Sequence, residues 1–310
     1  ERYVNNAVPY LLALLSVIVI PGVLSGPSLR QTLARVSGYA ATGVVVAILA
    51  IGQIGFIVNE VAPPFTPRRN FAQMVGRYSQ SRPTAQIRVV SNYPESTLGM
   101  YYLSGPELVT VPARGNDLES ARNLVGAMRA AGVRRVIFRQ VDALWDSQNV
   151  AEQALRENYH LIREDFTGSW ILKIFGHAEL ADLHSVQATF VNGMRINSAD
   201  ALADAEARMV EIYLTWSVSG HRSGTEKVFM HVTEAANPEA LIAQGDYPLV
   251  DADFGGDVRS YGFKFRDDAD LQAGRYVVRV GVYDPARPGA PRVGVMEGGD
   301  SLILAEFDVK

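Results

Sequence analysis

The sequence predicts a membrane-anchored chain of mixed α/β and all-β class. The expected parts are a two-helix transmembrane hairpin over residues 1–62, a small α/β domain with a mostly parallel sheet over 63–180, and a C-terminal antiparallel β-sandwich over 181–310. Three observations carry this. Two apolar runs near the start hold almost no charge, short β-rich runs then alternate with helical stretches, and after about residue 181 the apolar period becomes two.

The spans are expected at about 7–24 and 36–58. Residues 36–58 contain no charged side chain and are long enough for a hydrocarbon core of about 30 Å. The first run is shorter, and Pro21 is expected to kink or end it. Arg30 and Arg35, with no acid between residues 25 and 35, place the link in the cytoplasm by the positive-inside tendency and the rest of the chain outside it. Ala40, Gly43, Ala47 and Ala50 recur at helical steps as a small-residue packing face, and the Gln53 amide wants a partner on a neighbouring helix. The expected location is therefore the inner (plasma) membrane, multi-pass, with the following domains on the periplasmic side. The expected partners are the lipid bilayer and other integral-membrane proteins.

Composition excludes several function classes. The 310 residues carry a net charge of −4 and no cysteine, which removes disulfide frameworks, thiolate zinc sites and cysteine nucleophiles. No basic block or basic-aromatic patch is present, so no nucleic acid partner is expected.

Over 63–180 the expected strands are 87–90, 108–111, 135–139, 159–164 and 170–175, the last two forming a hairpin. Helices are expected at 95–103, 116–131 and 145–158. The second has capping-box spacing at Asn116 and Glu119 and an apolar face of Leu118, Ala121, Leu124, Val125 and Met128. In parallel sheets ligands sit beyond the carboxyl ends of the strands, which makes Asn92, Tyr93, Arg114 and Asp142 the candidate ligand crevice. Residues 91–95 lack the glycines of a phosphate loop, so a dinucleotide is disfavoured and no cofactor is expected.

Over 181–310 strands are expected at 187–196, 210–218, 227–233, 258–265, 275–283 and 301–309, separated by turn-rich pieces. In the second of these Val210, Ile212, Leu214, Trp216 and Val218 alternate with more polar residues, which predicts a half-buried strand. Asp251, Asp253 and Asp257, with Gly255 and Gly256, resemble the start of a calcium loop, but the distal bidentate Glu is missing. His160, His177, His184, His221 and His231 show no metal-ligating spacing, and no nucleophile elbow is present, so no catalytic residue is assigned.

Several phrases resemble a known family. These are 89–94 (VVSNYP) with 101–105 (YYLSG), 136–139, the Trp145-Asp146 helix start, 212–218, 228–232 (VFMHV), and 273–276 running into 282–285 (VYDP). The chain is similar in them to the C-terminal portion of the bacterial integral-membrane glycosyltransferases of family 39, related to protein O-mannosyltransferases and of GT-C fold. The resemblance implies transfer of a sugar from a polyprenyl-phosphate carrier, using acidic residues in a first extracytoplasmic loop that this sequence does not contain. Whether the chain is an enzyme therefore stays open. Three readings follow: a membrane-anchored, non-catalytic accessory or interaction subunit of a larger assembly; the tail of an intact glycosyltransferase whose catalytic half is not in this chain; or an anchored carbohydrate-binding protein. Glycan or polyprenyl-phosphate sugar is the ligand class they share.

Overall fold

The structure, a computed structural model, describes residues 43, 67–101, 103–166, 170–220, 222–266 and 271–309. The chain divides into two compact units, Glu1–Thr66 and Pro67–Lys310. The expected spans at 7–24 and 36–58 lie outside the described residues, apart from Gly43, which is helical and exposed. Among the described residues no helix is long and apolar enough to cross a membrane. The longest described helix has 13 residues, about 20 Å at 1.5 Å per residue, against a hydrocarbon core of about 30 Å. On that finding the membrane-anchored fold class with its transmembrane hairpin, and the multi-pass inner-membrane location, are corrected. The architecture shown is β-rich, with fourteen strands in three sheets and four α-helices within Pro67–Lys310.

The chain enters this unit through α1 (Pro67–Tyr78), which buries Phe71, Val75 and Tyr78. The first sheet then forms from β1 (Ile87–Ser91), α2 (Ser96–Tyr101), β2 (Glu107–Thr110), α3 (Leu118–Ala130), β3 (Arg135–Gln140), α4 (Val150–Asn158), β4 (His160–Phe166) and β5 (Ile171–Gly176). Its strand order is β2-β1-β3-β5-β4; β1 pairs parallel with β2 and β3, while β5 runs antiparallel to both β3 and β4. Helix α3 starts one residue later than the capping-box spacing suggests. Asp117 is its cap, accepting from the Ser120 N–H at 2.9 Å. Asn116 instead adopts a left-handed conformation (φ 53°), and its side chain binds Ser147 and the Gln148 N–H. Helix α4 likewise starts at Val150 rather than Trp145, because Leu144–Asp146 forms a separate 3₁₀ turn.

The remaining strands are β6 (His184–Thr189), β7 (Met194–Asp204), β8 (Met209–Val218), β9 (Lys227–Glu234), β10 (Leu241–Pro248), β11 (Arg259–Lys264), β12 (Gly274–Tyr283), β13 (Arg292–Val293) and β14 (Leu302–Val309). They make two antiparallel sheets, β11-β8-β7-β6 and β10-β9-β12, with β13 and β14 both pairing to β12. Both sheets contribute to one core, in which Trp216 is fully buried between Phe190 and Phe254. The single strand expected at 187–196 is a hairpin, with Gly193 in the turn at φ +84°.

Strand β8 departs from the half-buried expectation for a physical reason. Its first eight residues are all buried. Val210, Ile212, Leu214 and Trp216 enter the core between the two antiparallel sheets, while Met209 packs with Ile137, Ile162 and Ile174 of the first sheet. The two β-parts and the α/β part therefore share a junction. There β4 carries a bulge at Ile162, where the register slips between Leu161 and Arg163. The extra residue is buried between two glycines: a Cβ on Gly262 would stand 2.5 Å from Ile162 Cγ2, and one on Gly176 would stand 3.1 Å from Ile162 Cδ1. Arg163 reinforces the junction by donating to the Ala207 and Arg208 carbonyls at 2.7 and 2.9 Å and to Asp165.

Candidate functional site

The carboxyl ends of the parallel strands do not form the open crevice expected there. After β1 the chain goes to β2 on one side and then to β3 on the other, so the switch point lies between β1 and β3. Asn92 closes it. Its side-chain amide donates to the Val141 carbonyl at 3.0 Å and accepts from the Val141 N–H at 2.8 Å, and the residue is 1 % exposed. Beside it Arg139 is buried against the Trp170 ring, with 3.7 Å from its central carbon to the ring centroid, and it donates to Ser91 Oγ and Glu95. Asp146, also buried, accepts from the Val150 N–H at 2.7 Å and so caps α4; burial raises its carboxyl above the ordinary value. Tyr93, Arg114 and Asp142 are exposed. Of the four candidate residues, then, one holds two strands together and three lie at the surface.

A cleft of about 840 Å³ opens elsewhere, where the α3–α4–β5 end of the first part meets β10, β11 and the 3₁₀ turn Asp251–Phe254. This is within the range of small-molecule sites, about 300–1,000 Å³. One wall presents Arg129, Arg156, Asn158, Tyr159, His160, His177, Glu179 and Leu180; the other presents Tyr247, Val250, Asp253, Asp257, Arg259, Ser260 and Tyr261. The Tyr247 and Tyr261 rings lie 5.1 Å apart, with the Tyr247 hydroxyl donating to the Gly262 carbonyl. The Tyr261 hydroxyl is buried and makes no hydrogen bond of good geometry, although it faces the Trp216 indole.

The charges of this cleft are largely satisfied by one another. Arg129 and His177 share Glu179 at 3.4 and 2.8 Å, Arg259 pairs with Asp253 at 3.1 Å, Arg156 with Glu152 at 2.7 Å, and Glu157 with Arg122 at 2.6 Å. Burial lowers the His177 pKa below the ordinary histidine value, Arg129 and Arg134 add to this, and Glu179 opposes it. The imidazole is thus neutral at pH 7, with Glu179 on one ring nitrogen. No hydroxyl bonds to that ring, and Arg129 draws on the same carboxylate, so a nucleophile–base pair is not assembled among the described residues.

The aspartates of the calcium-like loop are spent on the protein. Asp253 accepts from the Val250 N–H at 2.8 Å, and Asp251 pairs with Arg222 at 2.6 Å, while Asp257 is exposed. No group of three His, Asp or Glu side chains is gathered for a cation among the described residues. Ala40, Ala47, Ala50, Gln53 and His221 lie outside the described residues; a Cβ on Gly43 would meet nothing within 4 Å.

No protein-family model and no curated protein matches this chain. Among solved structures it is similar to an endonuclease/exonuclease/phosphatase from Beutenbergia cavernae DSM 12333, at 10% identity and a TM-score of 0.20 over 48% of this chain. The match spans 34% of that protein, and at that score it carries no argument about fold or activity. The expected membership in the family 39 membrane glycosyltransferases is corrected by these results: no family model supports it, and no described helix can span a membrane.

Proposed function

We propose that Pro67–Lys310 is a non-catalytic recognition module whose cleft binds a neutral, polyhydroxylated ligand, a glycan segment. One observation carries this: of the seven Arg, Asp and Glu side chains lining the cleft, all but Asp257 are already in ion pairs. A lining neutralised in this way gives little net attraction to an anion or a cation. It still offers a dense array of donors and acceptors, together with tyrosine rings that combine an apolar face with a polar tip. The exposed side chains of Leu180 and Val250 add apolar surface for the carbon-bound face of a sugar ring.

Calorimetric titration of the full chain with neutral and uronate-containing oligosaccharides tests the proposal. The expected result is saturable binding of a neutral glycan that changes little between low and high salt, is weakened in Tyr247→Ala, and releases no cleaved product. Strongly salt-sensitive binding of anionic glycans alone, or no glycan binding at all, would overturn the proposal. Turnover of the glycan would overturn its non-catalytic part.

A further inference from the structure

We infer that a buried ionic cluster, Glu211 with Arg135 and Arg82, is a positioning device that fixes the width of this cleft. The inference rests on reading the cleft as the binding site. Glu211, on β8, is fully buried, and its carboxylate is divided between two guanidinium groups from the other side of the junction. Oε1 accepts from Arg135 Nε at 2.7 Å; Oε2 accepts from Arg82 Nη2 at 2.6 Å and from the Tyr213 hydroxyl at 3.0 Å. Arg135 is itself anchored, donating through Nη1 to the Tyr78 carbonyl at 2.6 Å and to Ser81 Oγ at 2.8 Å.

The cluster stands directly behind both walls of the cleft. Arg135 is the register partner of Gly176, the residue before His177, and Tyr213 is the register partner of Ser260. His177 and Ser260 both line the cleft. A Cβ on Gly176 would lie 2.5 Å from the Tyr213 hydroxyl, so the two walls touch at this point. Buried ion pairs rarely add stability over well-packed apolar residues, whereas their directional bonds hold one geometry against others. With the carboxylate neutralised, two like-charged guanidinium groups remain on the first part with no anion between them and β8, and the parts separate.

The absence of cysteine permits a direct measurement of that width. Leu180→Cys and Val250→Cys, both at exposed cleft-lining positions on opposite walls, carry spin labels for distance measurement by pulsed electron paramagnetic resonance. In the otherwise unchanged chain one narrow distance is expected. Glu211→Gln should broaden it toward longer values, and a cleft at its binding width a tenth of the time binds a neutral oligosaccharide about tenfold more weakly. Arg82→Gln, at the more solvent-accessible end of the cluster, keeps the Arg135 pair and should give a smaller change of the same sign. Val232→Ala, in the core between the antiparallel sheets, lowers the melting temperature but should leave the distance narrow. An unchanged distance in both charge variants would overturn the inference, as would broadening in Val232→Ala equal to theirs. If the distance broadens as expected but the parent chain binds no neutral glycan, the positioning role stands and the ligand reading fails.

Discussion

Single side chains decide the chemistry of this protein through what they are paired with. Glu211 is the sharpest case. Burial alone would raise its pKa, but Arg135 and Arg82 overcome that and hold it below the ordinary carboxylate value. A depressed carboxylate contributes stability above its unfolded pKa of about 4.3 and loses it as pH falls through the folded value. Glu211→Gln should therefore cost about 3–5 kcal/mol in urea denaturation at pH 7, the usual cost of breaking a buried pair from one side, and should remove part of the acid sensitivity. A loss below about 1 kcal/mol, the scale of an exposed pair, would show that the cluster is solvated in solution. Histidines give a second, separable window. His177 and His231 are both held below 6.5, each mainly by burial, with arginines adding and carboxylates opposing. The unfolded chain then takes up protons first, so stability is complete above about 6.5 and declines as pH drops toward the folded values. Denaturation midpoints at pH 7.5 and 5.5 should show this decline, and His177→Gln combined with His231→Gln should flatten it. An equal decline in the double variant would exclude these two side chains as its source.

At the scale of elements, irregularities place the functional surface. The bulge in β4 turns Ile162 into the junction, and Gly176 and Gly262 leave the room it needs. Gly262→Ala would set a methyl group 2.5 Å from Ile162 Cγ2 and 2.8 Å from its Cα, and the latter is backbone that cannot swing away. The expected cost is at the upper end of the 1–3 kcal/mol typical of overpacking, relieved in the Gly262→Ala, Ile162→Ala pair. An additive double variant would place the strain elsewhere. Asp117→Ala should cost about 1 kcal/mol through loss of the α3 cap, whereas Asn116→Ala should leave helix content unchanged and loosen the 145–148 turn. Regular elements were legible in the sequence wherever apolar spacing was strong, as in Ala121, Val125 and Met128 of α3 or the alternation along β8. Helix α1 was not legible, because its opening PRRN reads as a stiff polar exit, and β10 is weakened as a strand by Gly245 and Pro248. The cleft was invisible for a different reason. Its walls come from residues 129–180 and 247–261, and each side chain alone looks like an ordinary surface group. The His177-x-Glu179 pair was the one local hint, and a plain pair of that kind does not separate a site from a solvated surface. The fold rule that pointed to Asn92 failed because the amide of that residue fills the crevice itself.

The whole unit behaves as one body because its three sheets share buried surface. Residues from β1, β3, β4, β5 and α1 form a single apolar cluster with Ala207 and Met209 from the turn and strand of the next sheet. The buried charges of Arg135 and Glu211 face each other across the same junction. Residues 181–310 produced alone would expose Met209, Tyr213 and an unpaired Glu211 that the full unit keeps at or near zero exposure. An unpaired carboxylate is tolerable once it reaches water, but the apolar residues flanking it would then form a patch that invites association. The two β-parts retain their own core around Trp216, so 181–310 should still contain strand structure while self-associating and melting lower than Pro67–Lys310. Pro67–Lys310 should melt in one calorimetric transition whose van't Hoff and calorimetric enthalpies agree. Adding Glu211→Gln should split that transition or lower its enthalpy ratio, because the variant weakens the junction and leaves both flanking cores intact. Two well-separated transitions in the unaltered unit, the second coinciding with that of 181–310 alone, would show that the parts fold independently. The cleft would then be a seam between neighbours rather than a preformed site.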